Sequence, residues 1–188
     1  MAISHLTHPQ PSGRDSVAGA GVRFHVAQPA DVSALHAWYR HCQALPFFTE
    51  IAGPTPTFTR SQFRQYCAQD AQLMVGADEQ GLCAFILLTY IQGDMHVANV
   101  DFRWREGCPE PDSPRAKAFA AALRQLCLRA SVTKTHLLSL PLEEDRLQFA
   151  HWLGYVHEGV LARHFFHAGR CHDLQCLGRH EDDGVERA

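Results

Sequence analysis

The sequence predicts a single α+β domain, in which about four helices cover a mostly antiparallel sheet of seven strands. Of the 188 residues, 46% are hydrophobic and 20% are charged, which is enough apolar material for one core. Short turns separate the apolar segments within residues 71–104, as is typical of an antiparallel meander. Segments with helical periodicity precede and follow this meander, so helices are expected to cover its faces.

The first part of the chain predicts one strand and two helices. Residues 22–26 alternate between apolar and polar side chains, which indicates a strand. Asp31 can cap a helix that covers 28–42. Several prolines predict a loop over 45–59, and a short second helix follows over 60–69.

The rest of the chain predicts six more strands, two of which form the closing hairpin, and two more helices. Strands of the meander are expected at 71–77, 82–91 and 95–104. A helix follows over 114–130, because Ser113 supplies a cap and Pro114 occupies the first turn. The remaining elements are a strand at 135–140, a helix at 143–153 and a hairpin about 167–170. The order is strand, two helices, three strands, helix, strand, helix and two strands.

The two ends of the chain have a different composition from the domain. Residues 1–20 are rich in Pro, Gly, Ser and His without apolar periodicity, and we expect a disordered leader there. The domain is expected to cover 21–179, followed by a charged tail over 180–188.

Charge and composition exclude several classes of partner. The net charge is −3 and the basic residues are dispersed, so neither nucleic acid nor an anionic membrane is an expected partner. The long apolar run at 82–91 is too short for a membrane span, and no secretion signal is evident. Seven cysteines without closely spaced pairs indicate reduced thiols, and therefore a cytoplasmic protein.

The thirteen histidines do not predict a metal site. The densest group of potential ligands lies around the closing hairpin and consists of His164, His167, Cys171, His172 and Cys176. Strand alternation directs Cys171 and His172 to opposite faces, and no closely spaced ligand pair is present. A hydrolase is not expected either, because the chain has no Gly-x-Ser-x-Gly sequence.

The closing segment "LGYVHEGVLARHFFHAGRCHDLQCLGR" over 153–179 resembles that of the GNAT acyltransferase superfamily, and so does the predicted order of elements. The resemblance covers about residues 22–179. The resemblance is closest to the ribosomal-protein and amino-sugar N-acetyltransferases. The residues that carry it are Leu153, Gly154, Tyr155, Glu158, Gly159 and Asp173.

The start of the third predicted helix is similar to the Arg/Gln-x-x-Gly-x-Gly/Ala sequence of that superfamily. The corresponding residues are Arg115, Ala116, Lys117, Ala118, Phe119 and Ala120. The resemblance implies that main-chain amides at this helix N-terminus hold the pyrophosphate of a coenzyme. Alanine retains the amides but adds a methyl group where glycine allows close approach. Alanines at a helix start are also ordinary helix formers that pack against a sheet, and this alternative stays open.

The resemblance implies acetyl-CoA or another acyl-CoA as co-substrate, without a metal, and an amine of a small molecule or peptide as acceptor. It places the pantetheine arm against the backbone of Val100, Asp101 and Phe102. The acceptor is expected beside the loop between the first two helices, where the candidate contacts are Phe47, Phe48 and Glu50.

Two carboxylates are candidates for proton transfer. Asp101 lies on the strand expected to hold the thioester, on the opposite face from His96, and is the candidate base. Glu143 opens the last helix and could accept a proton, although the helix dipole explains it equally well. The position of the family's tyrosine acid is occupied by Ala150.

Two alternatives to an acyl-CoA enzyme follow from the replaced glycines and the missing tyrosine. One is a degenerate binding or regulatory module that retains only the fold. The other is an acyltransferase that takes its acyl group from an acyl-carrier protein. Many members of the superfamily pair through their last strands, so the resemblance leaves a homodimer open.

Overall fold

The computed structural model describes residues 16–19, 21–41, 59–61, 64–65, 71–91, 94–167 and 169–181. Its strands are β1 (Ser16–Gly19), β2 (Val22–Val26), β3 (Ala71–Asp78), β4 (Gly81–Ile91), β5 (Asp94–Trp104), β6 (Lys134–Ser139), β7 (Val156–His167) and β8 (Arg170–His180). Its helices are α1 (Pro29–His41), α2 (Pro114–Ala130) and α3 (Glu144–Trp152). The predicted α+β class with a mostly antiparallel sheet is confirmed.

The strands form one sheet in the order β1-β2-β3-β4-β5-β6-β8-β7. Every neighbouring pair is antiparallel except β5 and β6, which run parallel. A parallel pair needs a crossover connection, and α2 provides it between these two strands. The parallel pair therefore joins an N-terminal meander to a C-terminal group of three strands.

The structure differs from the sequence prediction at both ends of the domain. β1 lies within the segment predicted to be a disordered leader, and it pairs with β2 from Ser16 to Gly19. The first described strand thus begins before Gly21, where the domain was expected to start. β8 continues to His180, the first residue of the predicted tail. Most of the helix predicted over 60–69 lies outside the described residues, and 60–61 and 64–65 are helical.

Helices lie on both faces of the sheet. On one face, the rings of Phe119 in α2 and Phe149 in α3 are 5.3 Å apart, and both contact Phe102 of β5. On the other face, Trp38 of α1 meets Phe85 of β4 with 5.8 Å between the ring centroids. We call these the α2/α3 face and the α1 face.

The larger part of the described core lies on the α2/α3 face. Apolar residues recur along α2 at helical spacing and form a buried stripe, which comprises Ala116, Ala118, Phe119, Ala122, Leu123, Leu126, Cys127 and Ala130. Phe119 also makes edge contacts with Phe24 of β2, so one aromatic ring connects α2 to the sheet and to α3. This cluster fixes where the N-terminus of α2 lies.

β5 and β6 are paired over only part of their lengths. The parallel register runs from Val97 opposite Lys134 to Asn99 opposite His136. Beyond these residues β5 continues to Trp104, where it pairs only with β4, and β6 continues to Ser139, where it pairs only with β8. The sheet therefore contains a gap between the C-terminal halves of β5 and β6, which we call the strand gap.

β7 is the outermost strand on the C-terminal side of the sheet. Its exposed apolar side chains include Val156, Val160 and Phe166. A homodimer through the last strands stays a prediction.

Replacing Phe119 should destabilise the domain strongly, because its ring is fully buried among four other aromatic rings. We expect Phe119→Ala to lower the free energy of unfolding by about 3–5 kcal/mol in urea titrations followed by circular dichroism. The control is Leu128→Ala in the same helix, where the side chain is 69% exposed and a change within about 0.5 kcal/mol is expected. Equal losses in the two variants would contradict this account of the core.

Candidate functional site

Four charged side chains meet at the strand gap and form an ion-pair cluster: Asp101, Arg103, Glu143 and Arg146. Arg146 Nη1 donates to the main-chain oxygen of Leu138 at 3.0 Å and to Glu143 Oε2 at 3.2 Å. Its Nη2 donates to Asp101 Oδ1. Arg103 Nη1 donates to Glu143 Oε1, and its Nε lies 3.6 Å from Asp101 Oδ1. Each carboxylate is therefore shared by both guanidinium groups.

The ion-pair cluster connects the two faces of the sheet. Asp101 and Arg103 stand directly opposite Leu87 and Phe85 of β4, so they share the α1 face with Phe85. Arg146 belongs to α3, which packs on the α2/α3 face, and its guanidinium lies over the ring of Phe102 at 5.2 Å. Its contact with Asp101 therefore passes from one face to the other through the strand gap.

The two carboxylates of the cluster differ in their pKa values. Burial by itself would raise the pKa of Glu143, but the guanidinium groups of Arg146 and Arg103 outweigh this effect and lower it to about 2. Burial raises the pKa of Asp101 above its ordinary value, against the opposing effect of Arg103 and Arg146. Glu143 is thus a firmly ionised anion, whereas Asp101 accepts a proton more readily.

Two cavities adjoin the ion-pair cluster and the start of α2. One, of about 260 Å³, is lined by apolar residues including Trp38 and Phe102 and by Glu143 and Arg146. The other, of about 280 Å³, is lined by residues that include Ser113 and Arg115. Trp104, Gly107 and Cys108 line both, so the cavities are adjacent. Together they extend from the N-terminus of α2 to the strand gap.

The segment between β5 and α2 separates these cavities. Cys108 donates its main-chain N–H to Asp145 Oδ2 in the first turn of α3 at 3.4 Å. Burial raises the pKa of the Cys108 thiol to about 12, so this thiol is protonated at neutral pH and is a poor nucleophile. The position of Cys108 gives no support to a cysteine hydrolase.

The alanines at the start of α2 direct their methyl groups into the core. Ala116 is 0% exposed and Ala118 is 6% exposed, and both belong to the cluster around Phe119. Neither has a positive φ, so replacing glycine here causes no backbone strain. The methyl groups consequently do not obstruct the surface at the helix N-terminus, and the core-packing role of these alanines is established.

The first turn of α2 is capped in part by the chain itself. Ser113 Oγ accepts from the N–H of Ala116 at 3.2 Å, and the main-chain oxygen of Ser113 accepts from Lys117 N–H at 3.0 Å. Arg115 and Lys117 are exposed beside this turn. Asp78 lies 3.2 Å from Arg105 and 3.8 Å from Arg115, so acidic and basic groups both line the adjacent cavity.

The structure brings several of the predicted site residues together and leaves others apart. Asp101 and Glu143 meet in the ion-pair cluster, although they are far apart in the sequence. The side chains of Val100 and Phe102 lie in the core of the α2/α3 face, while their strand borders the gap. The predicted acceptor contacts Phe47, Phe48 and Glu50 lie outside the described residues. Phe119 belongs to the hydrophobic core, and Ala120 is partly buried against it.

Sequence reasoning overlooked Arg103 and Arg146, although both leave a signal. Arg146 stands three residues after Glu143 and one residue before Leu147, within the stripe of α3 that faces the core. A charged residue in an apolar stripe indicates a buried, paired charge. Arg103 follows Asp101 at the two-residue spacing that places both on one face of a strand.

Two further properties of the described residues bear on function. No group of three or more His, Cys, Asp or Glu among them is arranged to hold a metal ion. The helices in the described part of the chain all fall short of the length and apolarity that a membrane span needs.

Comparison with solved structures shows which known proteins share this fold. The structure matches the ribosomal-protein-S5-alanine acetyltransferase of Vibrio fischeri with a TM-score of 0.69 and 16% identity, over 91% of this chain and 99% of the other. It matches the spermidine N-acetyltransferase of Vibrio cholerae, in a complex with CoA and spermine, with a TM-score of 0.69 and 15% identity, over 88% and 99% of the two chains.

A GNAT-family acetyltransferase of Streptococcus pneumoniae matches with a TM-score of 0.67 and 13% identity, over 85% of this chain and 99% of the other. No family model matches the sequence, and no curated protein matches it. The chain therefore has the fold of the GNAT acetyltransferases, as the resemblance of the closing segment predicts, although its sequence identity to these neighbours is only 13–16%.

Because the pKa of Glu143 is lowered, part of the free energy of unfolding should depend on pH. Its pKa is about 2 in the folded chain against an ordinary value of 4.5, so the ionised form contributes stability above pH 4.5 that is lost as the pH falls toward 2. We expect the stability difference between the wild type and Glu143→Gln to shrink by about 2–3 kcal/mol between neutral and strongly acidic pH, measured by urea unfolding.

The control for this prediction is Glu144→Gln, which changes the exposed neighbouring residue and should leave the pH dependence unaltered. Asp101→Asn should not reproduce the effect, because a raised pKa contributes with the opposite sign. If the free energies of unfolding of the wild type and Glu143→Gln changed with pH in the same way, the folded structure would not lower the pKa of Glu143.

Proposed function

We propose that the protein is an N-acyltransferase that moves an acetyl or other acyl group from coenzyme A to an amine of a small molecule or peptide. The observation that carries the proposal is the loss of pairing between β5 and β6 beyond Asn99 and His136. It exposes the edge of β5 between a helix N-terminus and a pair of carboxylates. The neighbours in fold that are N-acetyltransferases, one of them with CoA, support the same class of reaction.

The residues present fit an acyl-CoA. The cavity at the N-terminus of α2 has the partial positive charge of a helix end, and Arg115 and Arg105 line it. The inward methyl groups of Ala116 and Ala118 leave that end accessible. The adjacent cavity continues toward the strand gap, where the backbone of β5 at Val100–Phe102 would hold the pantetheine arm. A bound acyl-CoA supplies an acyl group activated as a thioester.

Asp101 is the residue that we propose as general base. It lies on the α1 face, and its Oδ2 is buried and has no hydrogen-bond partner among the described residues. Burial raises its pKa, which favours proton acceptance from an amine.

Glu143 takes a different part in this proposal. Its carboxylate accepts from Ser139 Oγ at 2.9 Å and from the N–H of Leu140 at 2.9 Å, besides its contacts with the two arginines. With all these donors and a pKa of about 2, it is too weak a base to remove a proton from an amine. Glu143 is instead a positioning residue that orients Arg103 and Arg146.

The acceptor is proposed to be a cationic amine or an amino-terminal peptide. The carboxylate of Asp101 at the α1 face would attract an ammonium group, and the solved neighbours include a spermidine acetyltransferase and a ribosomal-protein alanine acetyltransferase. Phe47, Phe48 and Glu50, in the segment after α1, remain the proposed acceptor contacts.

One observation favours a second candidate function. The guanidinium of Arg146 bridges the strand gap, and Ser113 caps one of the amides at the start of α2. Asp78 also competes for the arginines of that cavity. These features suit a non-catalytic GNAT-fold module, or an acyltransferase whose carrier-protein donor needs less of the pyrophosphate site.

Binding of acetyl-CoA tests the proposed function directly. At about one hundred times its Kd, acetyl-CoA should stabilise the fold by about 2.7 kcal/mol, visible as a raised Tm in differential scanning calorimetry. Arg115→Glu should weaken binding at least ~10-fold in isothermal titration calorimetry, because it reverses a charge beside the helix N-terminus. The matched control is Arg124→Glu, at an exposed position further along α2. No Tm shift at millimolar acetyl-CoA would refute the proposal.

Turnover separates the enzyme from the non-catalytic module. With spermidine or an alanine-first peptide as acceptor, we expect release of the CoA thiol, and Asp101→Asn should lower kcat by about 10²–10⁴ while the KM for acetyl-CoA changes little. The variant should also lose the acidic limb of the pH–rate profile. Asp173→Asn, an exposed aspartate of β8, is the control. Acetyl-CoA binding without turnover of any amine would favour the module.

A further inference from the structure

We propose that the guanidinium of Arg146 closes the pantetheine path through the sheet and is displaced when an acyl-CoA binds. The inference rests on the proposed function and concerns regulation of the same site. We call the hydrogen bonds from Arg146 to Leu138 and Asp101 the Arg146 bridge.

The Arg146 bridge occupies the place where the two strands separate. Leu138 lies in the half of β6 that has lost its pairing with β5, and Asp101 lies in the corresponding half of β5. One guanidinium donates to a main-chain oxygen of the first strand and to a side chain of the second. Any ligand that lies along the edge of β5 must therefore compete with Arg146 for the strand gap.

The other ion pairs of the cluster allow Arg146 to leave Asp101 without creating an unpaired charge. Asp101 keeps Arg103, whose Nε lies 3.6 Å away. Arg146 keeps Glu143, which precedes it by three residues on the same side of the sheet and lies 3.2 Å from Nη1. Since an unpaired buried charge is what makes such a break costly, the retained pairs lower the cost of opening.

The contacts of Arg146 are also incomplete. Its Nε is buried and has no hydrogen-bond partner among the described residues, and the same holds for Asp101 Oδ2. A buried donor without an acceptor destabilises the arrangement that contains it. The bridged state is therefore stabilised by only part of the hydrogen-bonding capacity of these two side chains.

Release of the bridge has a consequence for the order of binding. While Arg146 donates to Asp101 Oδ1, that carboxylate carries two guanidinium neighbours. Once Arg146 leaves, Oδ1 retains only Arg103 as a charged neighbour and can accept a hydrogen bond from an acceptor amine. Donor binding would thus prepare Asp101 for the acceptor, and the donor would bind first.

The test compares two ligands on two proteins by isothermal titration calorimetry. Acetyl-CoA contains pantetheine, whereas adenosine 3′,5′-bisphosphate contains only the nucleotide part. Arg146→Met retains an apolar side chain but removes the guanidinium. If Arg146 has left the strand gap in about one tenth of the wild-type molecules, Arg146→Met should bind acetyl-CoA ~10-fold more tightly than the wild type does. Its affinity for adenosine 3′,5′-bisphosphate should equal that of the wild type. Arg124→Met, on the exposed side of α2, should alter neither affinity.

The outcomes separate the two hypotheses. If the wild type binds acetyl-CoA but Arg146→Met binds it no more tightly, the Arg146 bridge is not a barrier and the inference is overturned while the proposed function stands. If neither protein binds acetyl-CoA, both are overturned. Equal tightening of both ligands would also overturn the inference, because it would show a general change at the nucleotide site.

A second measurement uses the wild type and holds even if Arg146→Met does not fold. The Nε–H of Arg146, assigned through its own side-chain carbons by nuclear magnetic resonance, reports on the burial and environment of the guanidinium that forms the bridge. Its signal should shift and its hydrogen exchange should accelerate with saturating acetyl-CoA, and neither should change with adenosine 3′,5′-bisphosphate. An Nε–H that acetyl-CoA leaves unaltered would overturn the inference.

Discussion

The short parallel pairing between β5 and β6 is the constraint on which the site depends. Main-chain groups beyond the paired residues need other partners, because buried polar groups without hydrogen bonds are costly. Leu138 obtains one from the guanidinium of Arg146. The same divergence lets side chains from α3 reach residues on the α1 face, which an intact sheet would separate. One irregularity in strand pairing thus creates both an edge for binding and a passage between faces.

The ion-pair cluster is the electrostatic consequence of that passage. Two arginines and two carboxylates balance each other in a place where a single charge would be expensive to bury. The two carboxylates are not equally satisfied, because Glu143 accepts several hydrogen bonds whereas one oxygen of Asp101 has no partner within the described part of the chain. Two carboxylates in one cluster therefore have opposite pKa shifts and suit different roles.

The start of α2 shows how packing and binding can share one short segment. The alanines face the core and position the helix against Phe119 and the sheet, whereas Arg115 and Lys117 face outward. In a helix, the side chains of successive residues point in different directions, while the first main-chain amides all point toward the helix N-terminus. Core packing of the methyl groups is therefore compatible with accessible main-chain donors, and the two interpretations of the sequence do not exclude each other.

Much of the fold could be predicted because local patterns specify it. The short turns between apolar segments over 71–104, the cap at Ser113 and the closing segment after Gly154 predicted strands β3 to β5, helix α2 and the hairpin of β7 and β8. β1 was missed because its four residues carry no apolar alternation and are held by pairing with β2. The helix expected over 60–69 lies mostly outside the described residues.

The sequence by itself determined the α+β architecture, the position of Asp101 on its strand and the similarity to the GNAT fold. Only the tertiary structure decided that Asp101 meets Glu143, Arg103 and Arg146, and that the alanine methyl groups of α2 point inward. The physical reason is that periodicity fixes which face of its own element a side chain occupies. Which charges meet across the strand gap depends on where β5 and β6 part and how α3 packs beside them, and both follow from long-range contacts.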